Sequence, residues 1–348
     1  MRIVVLGLSI TSSWGNGHAT NYRALLEALR ARGHDVLFLE RDVPWYAANR
    51  DFDAPYVRLY RSPGELRRYV RQARTADLVL VGSFVPDGVE AGEWALAHAG
   101  GPVAFWDIDT PVTAAKLAAG DHEYLTPGLA RRYDLYLSFT GGPFLERLET
   151  PRPRAFYCVV GPERYRPVEA VRGFALGYLG TYSEDRQRAL ERLLLEPARR
   201  LPELRFVVGG PQYPAELEWP ANVARAEHVE PREHARFYGG HRLTLNVTRA
   251  AMVDAGWSPS VRLFEAAACG VPIVSDRWTG LDRFFTPGEE ILVADTSEDV
   301  VRIVRDADDS TLARIARCAR VRVLAEHTAD RRAAQLEREV DALVKAAA

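Results

Sequence analysis

Trp257-Ser258-Pro259-Ser260-Val261-Arg262-Leu263-Phe264-Glu265 brings two hydroxyls, a guanidinium and a carboxylate into one short stretch. Ser258 or Ser260 can cap a helix that runs through Ala266-Ala267-Ala268-Cys269 and stops at Gly270, with Pro272 opening a strand. Free amides at a helix start bind anions, and the helix dipole adds roughly 0.3 to 1 kcal/mol. Ser258, Ser260, Val261 and Arg262 are therefore candidate ligands of a diphosphate. Glu265 lies one turn further in, where a carboxylate without a partner is costly. The vicinal hydroxyls of a ribose would satisfy it, and so would a neighbouring arginine.

Two other segments carry groups that could move protons or hold a ligand. A long polar loop, Gly7 to Thr20, follows the first apolar run. A dinucleotide fingerprint needs G-x-G-x-x-G directly on a strand-to-helix turn, whereas Gly15-Asn16-Gly17-His18-Ala19-Thr20 lacks the third glycine and lies well past the strand. The functional reading is that Gly15 and Gly17 let the backbone approach a ligand and present His18 to it. The plain reading is a glycine pair supplying unusual backbone angles. Trp106-Asp107-Ile108-Asp109-Thr110-Pro111 offers an Asp-x-Asp pair, which could hold a divalent cation but lacks the further oxygen ligands that hard cations require. Asp109 reads better as a loop carboxylate at a strand end, or as a helix N-cap. His18 and Asp109 are the candidate catalytic pair.

The elements needed to position these groups are legible. Ile3–Leu6 predicts a strand, Tyr22–Arg32 a helix with Tyr22, Leu25, Leu26 and Leu29 on its buried face, and Val36–Leu39 a second strand. Gly33 stands where a left-handed cap belongs. Further strands are expected at 78–81, 103–106 and 135–139. Prolines cluster at 151, 153, 162 and 167, after which the alternation restarts, with strands at 175–179, 205–208, 243–247, 272–275 and 291–293. Helices are expected near 185–195, 261–269, 298–305 and 311–326. This is α/β with two Rossmann-like domains, 1–165 and 166–328. A helical tail, 329–348, has Leu336, Val340, Leu343 and Val344 on one face, and could pack back across the cleft that two such domains form.

Composition excludes several classes. At 348 residues the chain is too long for one core. Lysine occurs at Lys116 and Lys345 alone, and no Gly-Lys-Ser/Thr is present, so there is no Walker-type phosphate loop. A net charge of −2 with interspersed signs gives no nucleic-acid footprint. No apolar stretch reaches the length of a spanning helix, and the start does not read as a signal peptide, so a cytoplasmic location is expected. Cys158, Cys269 and Cys318 are isolated and read as core filler, not metal ligands. Trp14, Trp45, Tyr46 and Trp106 could form an aromatic acceptor surface, although core packing is the usual fate of such side chains.

Ser-x-Arg-Leu-Phe-Glu-Ala-x-Ala-Cys-Gly-x-Pro-Ile, from Ser260, resembles the donor-site motif of GT-B glycosyltransferases, in particular the spore-maturation (CgeB-like) group. Leu179-Gly180-Thr181-Tyr182-Ser183-Glu184-Asp185-Arg186 resembles that group's glycine turn followed by an arginine. Glu326-His327-Thr328 with Arg331-Arg332, and Gly161-Pro162-Glu163-Arg164-Tyr165-Arg166-Pro167 at the interdomain connection, add to the likeness. The resemblance implies a GT-B fold with a cleft between the domains and transfer of a sugar, of hexosyltransferase type, from a nucleoside-diphosphate sugar to an acceptor. Glu265 would hold the ribose, Arg186 with Gly180 and Thr181 the diphosphate, and His228-Val229 would flank the base. Retention of configuration is implied; no metal and no cofactor beyond the donor is expected. Related retaining enzymes often carry a second glutamate eight positions before this one, where this chain has Trp257. A sugar-nucleotide epimerase and a non-catalytic sugar-nucleotide-binding protein are the alternative readings.

Overall fold

The structure is a computed structural model and describes residues 1–347. The chain forms two compact units, 1–159 together with the C-terminal helix, and 160–328. The first unit thus ends a few residues before the predicted boundary at 165. The predicted tail helix is observed as Ala329–Ala347; residue 348 lies outside the described residues.

The first unit holds a seven-stranded sheet, all parallel, in the order β3-β2-β1-β4-β5-β6-β7. The strands are β1 (Arg2–Gly7), β2 (Asp35–Arg41), β3 (Val57–Tyr60), β4 (Leu78–Gly82), β5 (Val103–Asp107), β6 (Leu135–Ser138) and β7 (Pro153–Ala155). Strands β1, β4, β5 and β6 are almost wholly buried, which is why they read as continuous apolar runs. The edge strands β3 and β7 went unpredicted, because β3 is largely exposed and β7 opens on a proline.

Helix α1 (His18–Ala31) begins four residues earlier than its apolar pattern, at Gly17, and ends before Gly33, which takes the left-handed φ of +88°. Helix α2 (Thr110–Ala118) follows β5.

The second unit repeats the plan with six parallel strands in the order β10-β9-β8-β11-β12-β13. They are β8 (Phe174–Leu179), β9 (Phe206–Gly209), β10 (Val223–Ala226), β11 (His241–Asn246), β12 (Ile273–Ser275) and β13 (Leu292–Val293). Strand β10, with its Ala-Arg-Ala sequence, carries too little apolar pattern to be read in advance. The helix after β8 is continuous from 184 to 200 but opens into a π-helical stretch at Glu191–Leu195, just ahead of Pro197. A proline ring collides with the carbonyl four residues back, and the wider turn relieves that collision. Helix α3 (Val261–Ala268) is buried on nearly all sides, and Gly270 ends it with a φ of +71°.

Among the described residues no helix is long and apolar enough to cross a membrane. Cys158 and Cys269 are buried as expected, whereas Cys318 is only half-buried. Trp106 is a core residue, while Trp45 is 52% exposed.

Helix α4 (Ala329–Ala347) returns to the first unit and lies along α1. Ala333, Leu336 and Val340 are its buried face; Val344, expected with them, is solvent-facing. Arg32 at the end of α1 forks onto Glu337, with bonds of 2.8 and 2.7 Å, and reaches Asp330 at 2.8 Å. His34 meets the same Glu337 at 2.7 Å. The Arg32 guanidinium, followed by His34, lowers the Glu337 pKa from its ordinary value to about 2. A carboxylate depressed in this way stabilises the fold above its unfolded pKa of about 4.5 and loses that contribution as pH falls toward about 2. Glu337→Gln is expected to lower Tm at pH 7 by roughly 2–4 °C, the size of a partly exposed ion pair. It should also flatten the drop in Tm between about pH 4.5 and 2; both are read by thermal unfolding across that range.

Candidate functional site

In both sheets the winding reverses beside the first strand: between β1 and β4 in the first unit, and between β8 and β11 in the second. Open α/β sheets bind ligands outside the carboxyl ends of the strands at that reversal, since the loops there diverge to opposite faces. The predicted site residues fall at these ends. His18 and Asp109 follow β1 and β5 in the first unit. Gly180, Thr181, Arg186, Ser258, Ser260, Val261, Arg262 and Glu265 follow β8 and β11 in the second.

In the first unit the loop 8–17 has no regular structure, so its amides need other partners. Glu40, fully buried at the end of β2, provides them. Its carboxylate accepts from the amides of Ile10 and Thr11 at 2.8 and 3.0 Å, and from the hydroxyls of Ser9 and Thr11 at 3.0 and 2.6 Å. Arg23 of α1 donates to the Ile10 carbonyl at 2.9 Å and pairs with Asp51 at 2.5 Å; Asp51 in turn accepts from the Ser13 hydroxyl. The Asn16 amide donates to Ser9 O and Ser12 O, while its carbonyl receives the amide of His18 at 3.1 Å.

Gly15 has a positive φ of +62°, but Gly17 is right-handed with open space where a Cβ would stand. Of the predicted glycine pair, only Gly15 therefore needs to be glycine for its backbone angles. This loop delivers His18 Nε2 to 3.7 Å from Asp109 Oδ2. Asp109 occupies the N-cap position of α2 without making the cap bond. The other acid of the pair, Asp107, points into the core. It accepts from the hydroxyls of Tyr136 and Thr113 and from the amide of Asp109, and burial raises its pKa to about 6.

In the second unit the turn after β8 is gripped from two sides. Arg186 donates to Thr181 O at 2.7 Å and to the Ser183 hydroxyl at 3.1 Å. Arg262 is buried, lies 4.5 Å over the Tyr178 ring, and donates through Nε to Leu179 O and through Nη1 to Asn246 Oδ1 at 3.1 Å. The hydrogen bonds of Arg262, a candidate diphosphate ligand, clamp β8, β11 and α3 together, with Nη2 beside Gly180. A Cβ on Gly210, at φ +137°, would come 2.1 Å from Gly180 O, so the turn after β9 must be glycine to lie this close.

Ser260 is the N-cap of α3, but its hydroxyl donates to Asn246 Oδ1 at 2.7 Å and leaves the cap bond unmade. Behind Asn246 lies Asp276, 6% exposed, which accepts from the Thr248 amide and hydroxyl, both at 2.9 Å. The start of α3 is thus fixed by a buried polar network.

Trp257 carries a φ of +45°, rare for a bulky residue, and its amide donates to Thr279 O at 2.7 Å. A Cβ on Gly280 would meet Cγ, Cδ1 and Cδ2 of the indole at 2.6–2.8 Å, so one ring face rests on that glycine. Glu265 is 4% exposed, and Tyr238 donates to its Oε2 at 3.2 Å. Val229, in the loop after β10, accepts at its carbonyl from His234 at 3.1 Å; His228 precedes it in the same loop.

Residues 186–338 match the family described as glycosyl transferase-like. Sucrose-phosphate synthase from Thermosynechococcus elongatus is similar in structure, with 15% identity, 99% of this chain and 100% of that chain covered, and a TM-score of 0.71. Anabaena HepE in complex with UDP and glucose gives 15% identity, 98% and 100% coverage, and a TM-score of 0.71. An alpha-glucosyltransferase in complex with UDP-glucose and DNA containing an abasic site gives 12% identity, 99% coverage of each chain, and a TM-score of 0.73. No curated protein matches the sequence. The fold is that of the GT-B glycosyltransferases, and the glycosyl transferase-like match runs from the second unit into α4.

Glu40, Asn246, Asp276, His234 and Tyr238 escaped the sequence reading. Glu40 alone left a signal there, as a carboxylate closing the apolar run Val36-Leu37-Phe38-Leu39. Glu40→Leu should destabilise the first unit by about 3 kcal/mol, because two buried amides lose their acceptor. Glu40→Gln should cost about 1 kcal/mol, since the hydroxyls of Ser9 and Thr11 can turn to accept from the new amide. Denaturant unfolding of the full chain separates the two outcomes.

Proposed function

We propose that the protein transfers a hexose from a UDP-hexose to an acceptor hydroxyl, without a metal ion. The observation that carries this reading is the convergence, at the carboxyl ends of β8 and β11, of the Gly180 turn, Arg186, the start of α3 and Glu265, within a domain matched as glycosyl transferase-like. UDP and glucose are supported by the HepE and alpha-glucosyltransferase complexes that share the fold.

In this reading Glu265 holds the ribose and the loop at His228-Val229 flanks the uracil. The diphosphate lies against the Gly180-Thr181 turn, the first amides of α3 and Arg186, with Ser258, Ser260 and Val261 framing it. As the glycosidic bond to the diphosphate breaks, the sugar becomes oxocarbenium-like and negative charge grows on the leaving oxygen. Fixed amides and guanidinium groups stabilise that charge, each worth roughly 2.7 to 4 kcal/mol in a preorganised site. They can neutralise the diphosphate without a cation. Trp257 offers the sugar an indole face where related enzymes carry a carboxylate.

The resemblance implies retention of configuration. The His18–Asp109 pair favours a second reading, inversion. A carboxylate beside Nε2 orients the imidazole and leaves Nδ1 to take the acceptor's proton, which is the requirement of a single displacement. NMR of the first-formed product distinguishes the two.

UDP is expected to raise the Tm of the full chain, and UDP-glucose to be consumed only when an acceptor is present. Consumption without acceptor would instead indicate an epimerase, and binding without any turnover a sensor. Activity should survive EDTA; loss with EDTA and return with manganese would move the reading to a metal site at Asp107 and Asp109. His18→Ala and Asp109→Asn are each expected to lower kcat roughly 100-fold, within the range of general-base removal. Equal turnover in both at equal folding would remove them from catalysis. Trp257→Ala should weaken UDP-glucose about tenfold and leave UDP unchanged, as measured by calorimetry.

A further inference from the structure

Behind the buried Glu265 lies a set of groups that the motif does not include. His234, the first residue of the helix His234–Gly239, faces the Val229 carbonyl with Nε2 at 3.1 Å. A carbonyl only accepts, so Nε2 carries the hydrogen. Burial, the largest influence on this imidazole, lowers its pKa and keeps it neutral. Nδ1 faces the Tyr165 hydroxyl at 3.1 Å, and that hydroxyl is itself hydrogen-bonded to Glu265. The same Nδ1 lies 4.0 Å from Glu265 Oε2, the oxygen that accepts from Tyr238. Tyr165, Tyr238 and Glu265 are all buried. One imidazole therefore touches, at one nitrogen, the loop at Val229 and, at the other, the tyrosine side of Glu265.

We infer that His234, together with Tyr165 and Tyr238, is a positioning residue that couples the Val229 loop to Glu265, so that nucleobase and ribose are recognised by one rigid unit. This rests on the reading of Glu265 as the ribose ligand. The relay explains why a carboxylate can be held so deep in the second unit. Tyr238 and Tyr165 both bond to the carboxylate and fix its plane. The charged and titratable groups that bear on His234 are Glu265, His228 and Arg164, and the hydroxyl in contact with it is Tyr165.

The test is calorimetric titration of the full chain with UDP and with 2′-deoxy-UDP, with thermal unfolding to verify folding. The wild type is expected to prefer UDP roughly tenfold, the size of one lost hydrogen bond to a charged group. His234→Phe and Tyr238→Phe should collapse that ratio to about one while changing binding of the deoxy analogue less than about threefold. His234→Gln, whose amide supplies both a donor and an acceptor, should recover most of it. A wild-type ratio of one overturns the reading of Glu265 and this inference with it. A wild-type preference that survives His234→Phe and Tyr238→Phe intact overturns the inference alone, and so does an equal loss of both ligands.

Discussion

In each sheet the crossovers on the two sides of the first strand run to opposite faces, because a β-α-β connection is right-handed and the strand order reverses there. The loops leaving β1 and β4, and those leaving β8 and β11, must part company, and polypeptide without regular structure is left at the carboxyl ends. Its backbone groups still require partners. That requirement explains the architecture around both candidate sites. Buried side chains take the place of a ladder: Glu40 and Asn16 in the first unit, Asn246, Asp276 and Arg262 in the second.

The two networks solve the problem with opposite charges. In the first unit a carboxylate gathers amides and hydroxyls, and the loop it organises carries His18 to the Asp109 side chain. In the second unit a guanidinium gathers carbonyls and an amide oxygen, which draws the Gly180 turn and the start of α3 together. A buried charge without partners would be expensive, so each is surrounded by complementary dipoles. The same logic applies to Glu265, whose companions are hydroxyls and an imidazole. Trp257 is held by backbone instead, in a left-handed conformation that the Thr279 carbonyl and the glycine beneath its ring impose. Strained residues of this kind gather where function demands a particular side-chain direction.

Much of this was legible from residue order. The buried strands β1, β4, β5, β8, β9 and β11 announced themselves as apolar runs, and α1 as a periodic stripe closed by Gly33. The start of α3 was marked by serines and its end by Gly270. The edge strands β3 and β7 and the polar β10 were not legible, because half-exposed strands carry little apolar pattern. Nor was the role of Arg262, since an arginine in the first turn of a helix looks the same whether it faces a ligand or a neighbouring strand.

Local order along the chain therefore determined the α/β class, the two-fold repetition of the plan, and the capped helix start with its carboxylate at Glu265. These depend on periodicity, caps and glycine angles, all of which act within a few residues. Tertiary structure alone decided that α4 belongs with the first unit, that Glu40 governs a loop about thirty residues before it, and that His18 meets Asp109 while Asp107 turns inward. It also decided that Glu265 is attended by Tyr238 and His234. Those contacts join residues from different crossovers, and no short-range pattern records which strand ends the fold will bring together.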